Sequence, residues 1–149
     1  MSLGLYLHIP YCFSKCRYCD FYSAPGQRGV PRAYVDALLR ELSRFSPDAP
    51  LRPDTLYFGG GTPSLLDPAD AAQLIAAAQP LPGAEITLEA NPETVTEDSL
   101  RAFREAGVNR ISFGVQSARD SQLKTLGRPH TAKQARAAFA AARRAGFEN

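Results

Sequence analysis

Three cysteines, Cys12, Cys16 and Cys19, lie within eight consecutive positions, and the chain has no others. They belong to the stretch Cys12-Phe13-Ser14-Lys15-Cys16-Arg17-Tyr18-Cys19-Asp20-Phe21, with gaps of three and then two residues. Gaps this short let one loop fold round a small inorganic body and aim every thiol inward. Three thiolates make an incomplete cage. A closed structural zinc site takes four ligands, whereas a four-iron cubane on three cysteines keeps one iron without a protein ligand, and chemistry could occur there. Lys15 and Arg17 stand between the cysteines, and cationic neighbours lower thiol pKa values and offset thiolate charge. The same residues also allow three unrelated thiols, or a zinc site completed by His8 or Asp20. Confinement of every cysteine to one loop favours the cluster, and His8, on the preceding strand, should point away from that loop.

The elements that must hold this loop follow from periodicity. An apolar run from Leu3 to Ile9, closed by Pro10, predicts a first strand leading directly into the cysteines. Val30-Pro31-Arg32 opens a helix with Val35, Leu38, Leu39, Leu42 and Phe45 at helical spacing down to Ser46-Pro47. A linker from Asp48 to Pro53 precedes a second strand, Thr55-Leu56-Tyr57-Phe58, which ends in Gly59-Gly60-Gly61-Thr62-Pro63. Asp67-Pro68 caps an alanine-rich helix through Leu74 and Ile75 to about Gln79. The third strand is Glu85 to Glu89, broken by Asn91-Pro92, and Thr96 caps a helix carrying Leu100 and Phe103 that stops at Gly107. Arg110 to Gln116 forms the fourth strand. Ser117 with Asp120 starts a short helix to Leu126, and the capping box Thr131-Ala132-Lys133-Gln134 begins a last helix through Phe139 and Ala142 to Gly146.

Four strand–helix units predict an α/β fold, a parallel sheet covered by helices, either an open doubly wound sheet or a barrel segment. In both, ligands sit at the carboxyl ends of the strands. The cysteines follow the first strand, the triple glycine the second, Glu89 ends the third and Gln116 the fourth. Three glycines let backbone amides and carbonyls approach a ligand closely, although a glycine run alone also suits a tight turn. This one is neither a Walker loop nor a dinucleotide turn. Alternation sets Thr87 and Glu89 on one face and Ile86 and Leu88 on the other, with Ser112, Gly114 and Gln116 set against Ile111, Phe113 and Val115. His130 has no partner at metal-ligand spacing and reads as a loop histidine. Tyr6, taken alone, reads as a core aromatic.

Composition narrows the partners. The 149 residues are 44% hydrophobic and 21% charged, ordinary globular values. The net charge of +2, from 17 basic and 15 acidic residues, is too balanced for a nucleic-acid footprint. The N-terminal apolar run is too short for a signal peptide or a membrane span, so a cytoplasmic protein without a membrane segment is expected. Clustered thiols in a reducing compartment indicate metal or redox use rather than disulfides.

Cys-x-x-x-Cys-x-x-Cys after a strand, with Tyr18 before the third cysteine, resembles the radical S-adenosylmethionine (SAM) enzymes. Leu5-Tyr6-Leu7-His8-Ile9-Pro10 and Cys19-Asp20-Phe21-Tyr22 are similar to the oxygen-independent coproporphyrinogen III oxidase family, and within it to the haem-chaperone branch. The resemblance covers nearly the whole chain. It implies the first four units of a radical SAM partial (β/α)6 TIM-like barrel. On that reading residues 1–149 are an incomplete, truncated core domain, lacking the remaining barrel units and a C-terminal domain. The repeated junctions Arg104-Glu105-Ala106-Gly107-Val108-Asn109 and Arg143-Arg144-Ala145-Gly146-Phe147-Glu148-Asn149 agree, since the second stands where a fifth strand would begin.

The resemblance also implies a [4Fe-4S] cluster on Cys12, Cys16 and Cys19. It implies SAM held by Gly60, Gly61, Thr62 and Glu89 at its methionyl end, by Gln116 at a ribose hydroxyl and by Arg128 at the carboxylate, with Tyr6 and Tyr18 alongside. A planar guanidinium suits a carboxylate. The implied chemistry is reductive cleavage of SAM to a 5′-deoxyadenosyl radical. No further catalytic residue is legible. The expected role is a haem chaperone that binds haem and passes it to haem-dependent respiratory enzymes. The oxidase that decarboxylates coproporphyrinogen III is the alternative, and a zinc-binding structural fragment the second. The oxidase pattern has a further cysteine two positions beyond the third, where this chain has Phe21, and an extension before the first strand. Both departures favour the chaperone.

Overall fold

The computed structural model describes residues 2–45 and 50–149. Among them, four strands, β1 (Gly4–Ile9), β2 (Thr55–Gly60), β3 (Glu85–Ala90) and β4 (Arg110–Phe113), form one parallel sheet in the order β1-β2-β3-β4. The helices are α1 (Arg32–Ser43), α2 (Pro68–Ala78), α3 (Glu97–Glu105), α4 (Asp120–Leu126) and α5 (Ala132–Arg144). A doubly wound sheet reverses its order at a switch point. Here every strand joins the same side of its predecessor, and right-handed crossovers then place the covering helices on one face. Consistently, α1 packs on α2, α2 on α3 and α3 on α5. The fold is therefore a barrel segment rather than an open doubly wound sheet.

Strand alternation builds the core. Leu7, Phe58, Leu88 and Ile111 stand in register across the four strands, and the first three are buried against the helices. Burying an aliphatic or aromatic side chain of this size contributes about 1.5–3 kcal/mol. Val35 and Leu42 of α1, Leu74 and Ile75 of α2, and Leu100 and Phe103 of α3 close over that row. The opposite sheet face carries Tyr6, Tyr57, Thr87 and Arg110 in register. Helix starts follow their caps: Asp67 accepts from the Ala69 N–H, and Thr96–Ser99 and Thr131–Gln134 form reciprocal boxes.

Several boundaries differ from expectation. Phe45 is exposed beyond the end of α1, and the expected stop at Ser46-Pro47, like the Asp48 start of the linker, lies outside the described residues. β2 continues through Gly59 and Gly60, because pairing with β1 extends to Ile9. β4 stops at Phe113, after which Val115 and Ser117 make tight backbone bonds to residues two positions earlier and Gln116 turns left-handed, with φ 61°. Helix α5 buries a stripe of small residues, Ala135, Ala138, Ala141 and Ala142, which permits close approach. Phe139 stays exposed, with the Arg143 guanidinium 5.1 Å from its ring centroid. Tyr6 is also exposed, so it is not the core aromatic that its context suggested. At the chain end Phe147 is buried, and the Ile111 N–H of β4 donates to the Asn149 carbonyl at 3.1 Å. Among the described residues no helix is long and apolar enough to cross a membrane.

The start of the sheet is tied by Asp54, whose carboxylate accepts the Leu3 N–H at 2.7 Å. That bond holds the carboxyl below its ordinary value of 3.8. A depressed folded-state value adds stability that is present above the unfolded pKa and lost as pH falls through the folded one. Asp54→Ala is therefore expected to lower the melting temperature at neutral pH, with the deficit shrinking as the parent is acidified below about pH 4. Thermal melts across that range check it, and a deficit independent of pH would show that the charge is not its source.

Candidate functional site

The cysteine loop is closed by its own backbone. Cys12 N–H donates to the Ala24 carbonyl and Ala24 N–H to the Pro10 carbonyl, while Gly26 and Gln27 reach back to Phe13 and Cys12. The second strand end is bonded beneath it: Gly61 N–H donates to the Ile9 carbonyl and Thr62 N–H to the Tyr11 carbonyl. A third tie runs from the Arg17 N–H to the Leu126 carbonyl at the end of α4. These bonds give the loop a defined floor and one defined wall.

Of the eleven residues assigned to the site by sequence, ten line one cavity of about 300 Å³: Cys12, Cys16, Cys19, Tyr18, Gly60, Gly61, Thr62, Glu89, Gln116 and Arg128. Tyr6 is outside that lining, on the open sheet face, its ring stacked at 6.0 Å on Tyr57 and its hydroxyl 3.2 Å from His8 Nδ1. His8, expected to point away from the cysteine loop, has its Nε2 3.1 Å from the Tyr22 carbonyl oxygen and its ring against Gly60. Cys12 is buried and Cys16 and Cys19 half-buried. Among the described residues no three His, Cys, Asp or Glu side chains are grouped as a ready site for a metal ion.

Glu89 projects from the end of β3 with both carboxylate oxygens engaged. It accepts from the Tyr57 hydroxyl at 2.8 Å and from the Gly60 N–H at 3.1 Å. Partial burial and this carboxylate raise the Tyr57 phenol above its ordinary value, and the same two causes raise Tyr6. Tyr18 is raised by burial, against the opposing pull of Arg128 nearby. These protons are held more tightly in the folded chain, so their contribution to stability is present below the ordinary phenol value and lost as pH climbs through the folded ones.

Arg128 follows Gly127, the left-handed cap of α4, and its side chain is nearly buried. Its Nη1 donates to Cys16 Sγ at 3.1 Å, and Nη2 to Asn91 Oδ1 at 2.6 Å and to the Gly114 carbonyl at 3.0 Å. The cation touching a cysteine sulfur is therefore Arg128. Lys15 instead donates to the Phe21 carbonyl, and the Arg17 side-chain stem packs against Gly127. Among the described residues, two buried side-chain polar atoms lack a hydrogen-bond partner, Ser23 Oγ and Arg128 Nε, and both residues line this cavity. An orphaned buried donor costs about 1–3 kcal/mol, more when charged. A polar, anionic guest in the cavity would answer both.

Sequence reasoning missed three residues here. Asn91 was read only as a strand breaker, yet its side chain lies in the lining. Glu93 went unremarked. His130, read as a loop histidine, is instead buried, its Nδ1 3.0 Å from Glu93 Oε2 and its Nε2 3.1 Å from the Val115 carbonyl oxygen. The available signal was the position of Asn91-Pro92-Glu93 directly beyond a strand end, where ligands bind.

The structure is a parallel barrel segment with three cysteines and a glycine loop lining one cavity at its rim. The sequence profile of the Radical SAM superfamily matches residues 6–149, and the chain belongs to that superfamily. It is 47% identical over 142 residues to the heme chaperone HemW of Escherichia coli strain K12, covering 91% of this chain and 38% of that protein. It is 41% identical to the mitochondrial radical S-adenosyl methionine domain-containing protein 1 of Bos taurus, covering 95% of this chain and 33% of the relative. The solved structure of coproporphyrinogen III oxidase (HemN) from Escherichia coli superposes with a TM-score of 0.86 at 31% identity, over 99% of this chain and 35% of that one. The chain thus spans 33–38% of the length of these relatives. The superfamily implies SAM and a [4Fe-4S] cluster as cofactors.

Gly61 is a tight point of the wall against the cysteine loop. A Cβ there would stand 2.7 Å from the Tyr11 carbonyl oxygen, 2.9 Å from Cys12 Sγ and 3.0 Å from the Ile9 carbonyl oxygen. Two of these are backbone atoms, so the loop must move. Gly61→Ala is expected to make Cys12 react faster with an alkylating reagent than in the parent, while Cys16 and Cys19 keep their rates. Peptide mapping after timed alkylation reads this, and an unchanged Cys12 rate would show that the wall absorbs the methyl group.

Proposed function

We propose that this chain is the cofactor-binding part of a haem chaperone: it holds a four-iron cluster on Cys12, Cys16 and Cys19 and SAM against the strand ends, within a longer cytoplasmic polypeptide that binds haem and delivers it to respiratory enzymes. The observation carrying the cofactor reading is the pairing of three cysteines with two orphaned polar atoms round one cavity. Arg128 keeps an enclosed, unpartnered Nε–H that a small shift of its side chain would offer to a carboxylate, and Glu89, already braced by Tyr57 and Gly60, offers its charge to an amine. Gly60, Gly61, Thr62, Gln116 and Tyr18 line the same cavity. When bound, the cluster supplies an electron to the SAM sulfonium. The protein's part is to orient the sulfonium and exclude water.

The chaperone reading, as against the oxidase, is supported by Phe21. This side chain lines the cavity mouth, largely exposed, where the oxidase pattern has a further cysteine, and phenylalanine offers neither a thiolate nor a proton. The 47% identity to a HemW protein supports it further.

In the complete natural polypeptide, reconstituted anaerobically, replacing any one of the three cysteines by alanine is expected to abolish iron and sulfide binding. Zinc without sulfide in the parent would sustain the structural-zinc alternative instead. Arg128→Ala is expected to weaken SAM binding by about 1.5–3 kcal/mol, the range for hydrogen bonds to a charged group. Unchanged affinity by calorimetry would remove Arg128 from the SAM site. The same loaded protein should bind haem in an absorbance titration and leave coproporphyrinogen III unconverted when given SAM and a reductant. Decarboxylation over many turnovers would overturn the chaperone reading and restore the oxidase.

A further inference from the structure

Two of the three cysteine sulfurs receive hydrogen bonds, and both donors lead to one side chain. Thr62 Oγ1 donates to Cys12 Sγ at 3.6 Å, and Arg128 Nη1 to Cys16 Sγ at 3.1 Å. Between them stands Asn91: its Nδ2 donates to Thr62 Oγ1 at 3.1 Å, and its Oδ1 accepts from Arg128 Nη2 at 2.6 Å. A carboxamide suits this place because one end donates and the other accepts, 29 residues from one partner and 37 from the other. Because the Thr62 hydroxyl oxygen accepts from Asn91 Nδ2, its own proton is left to point at Cys12 Sγ. The result is an unbroken chain, Cys12–Thr62–Asn91–Arg128–Cys16.

Two observations show that this chain is built rather than incidental. Asn91 opens the short turn Pro92–Thr94, a position where asparagine commonly caps. Here the Thr94 hydroxyl closes the turn on the Asn91 backbone, accepting its N–H at 3.3 Å and donating to its carbonyl at 2.9 Å, while the carboxamide bonds Thr62 and Arg128. Space has also been kept for it: a Cβ at Gly114 would fall 2.6 Å from Asn91 Oδ1 and 3.4 Å from Arg128 Nη2. Behind Arg128 the Glu93 carboxylate, 3.8 Å away and itself bonded to buried His130, balances the guanidinium charge.

We propose that Asn91 is a positioning residue of the cluster: it holds the Thr62 and Arg128 donors on the Cys12 and Cys16 sulfurs and thereby sets the cluster's reduction potential. The inference rests on the cluster assigned above. Donors aimed at ligand sulfurs stabilise the more electron-rich reduced state, and such bonds are among the factors that set iron–sulfur potentials. Cys19, which takes no such bond among the described residues, would remain the electronically distinct ligand.

The test uses the complete natural polypeptide, loaded anaerobically, as parent, Asn91→Ala, Thr62→Val and the double variant. Iron and sulfide are measured first, then the midpoint potential by redox titration followed by electron paramagnetic resonance. The expected result is unchanged iron and sulfide, a potential about tenfold less favourable to reduction in Asn91→Ala, or about 59 mV for one electron, and a double variant falling short of the sum of the singles. Asn91→Ser, too short to span both partners, should behave as Asn91→Ala and serves if the alanine variant does not fold. Full iron and sulfide with an unmoved potential, or strictly additive shifts, would overturn this inference alone. Absence of iron and sulfide from the parent would overturn the cluster reading, and this one with it.

Discussion

Everything at the site depends on the sheet growing in one direction only. Because β1 to β4 are parallel and follow one another in space as in sequence, all four carboxyl ends meet at a single rim. Right-handed crossovers return each connection over the same face, so the helices cover one side and their apolar stripes supply the core. The loops after the strands are spared that task. They are free to carry cysteines, glycines and charged groups.

That freedom would leave a mobile rim unless the loops were bonded laterally. The cysteine loop rests on the second strand end through Gly61 to Ile9 and Thr62 to Tyr11, and leans on α4 through Arg17 to Leu126. The last contact matters electrostatically, because it brings Arg128 to Cys16 from 112 residues away. A nearly buried guanidinium needs compensation, and it finds Asn91, the Gly114 carbonyl and Glu93, the last anchored in turn by His130. The polar layer beside the cavity thus runs from Cys16 through Arg128 to Glu93 and His130, with Arg128 Nε enclosed and unpartnered within it. Within such a low-dielectric setting satisfied hydrogen bonds hold side chains in single orientations, which is what a site for a charged guest requires.

Gln116 shows the other cost of the rim. It adopts φ 61° immediately after β4, in the left-handed region that a non-glycine residue occupies at a penalty of about 1–3 kcal/mol. The surrounding turns hold it there, and its side chain consequently lines the cavity instead of continuing the strand alternation. Strand periodicity would have assigned it the same face for the wrong reason.

Local information was enough for much of this protein. Period-two and period-3.6 patterns, with caps at Asp67, Thr96 and Thr131, determined the order and type of the elements, because those signals act through neighbouring residues. The cysteine spacing and the glycine run identified the rim residues for the same reason. What failed was whatever depended on packing partners distant in the chain. Phe45 and Phe139 matched a helical stripe but face solvent, since α1 ends early and α5 meets its neighbours through alanine. The choice between a doubly wound sheet and a barrel segment lay in strand order, which periodicity does not encode. Likewise Asn91, Glu93 and His130 are ordinary loop residues until the sheet register and the end of α4 bring them round Arg128. Hydrogen bonds spanning 29 to 112 residues exist only once the chain has folded, and it was the tertiary structure alone that joined them to the cysteines.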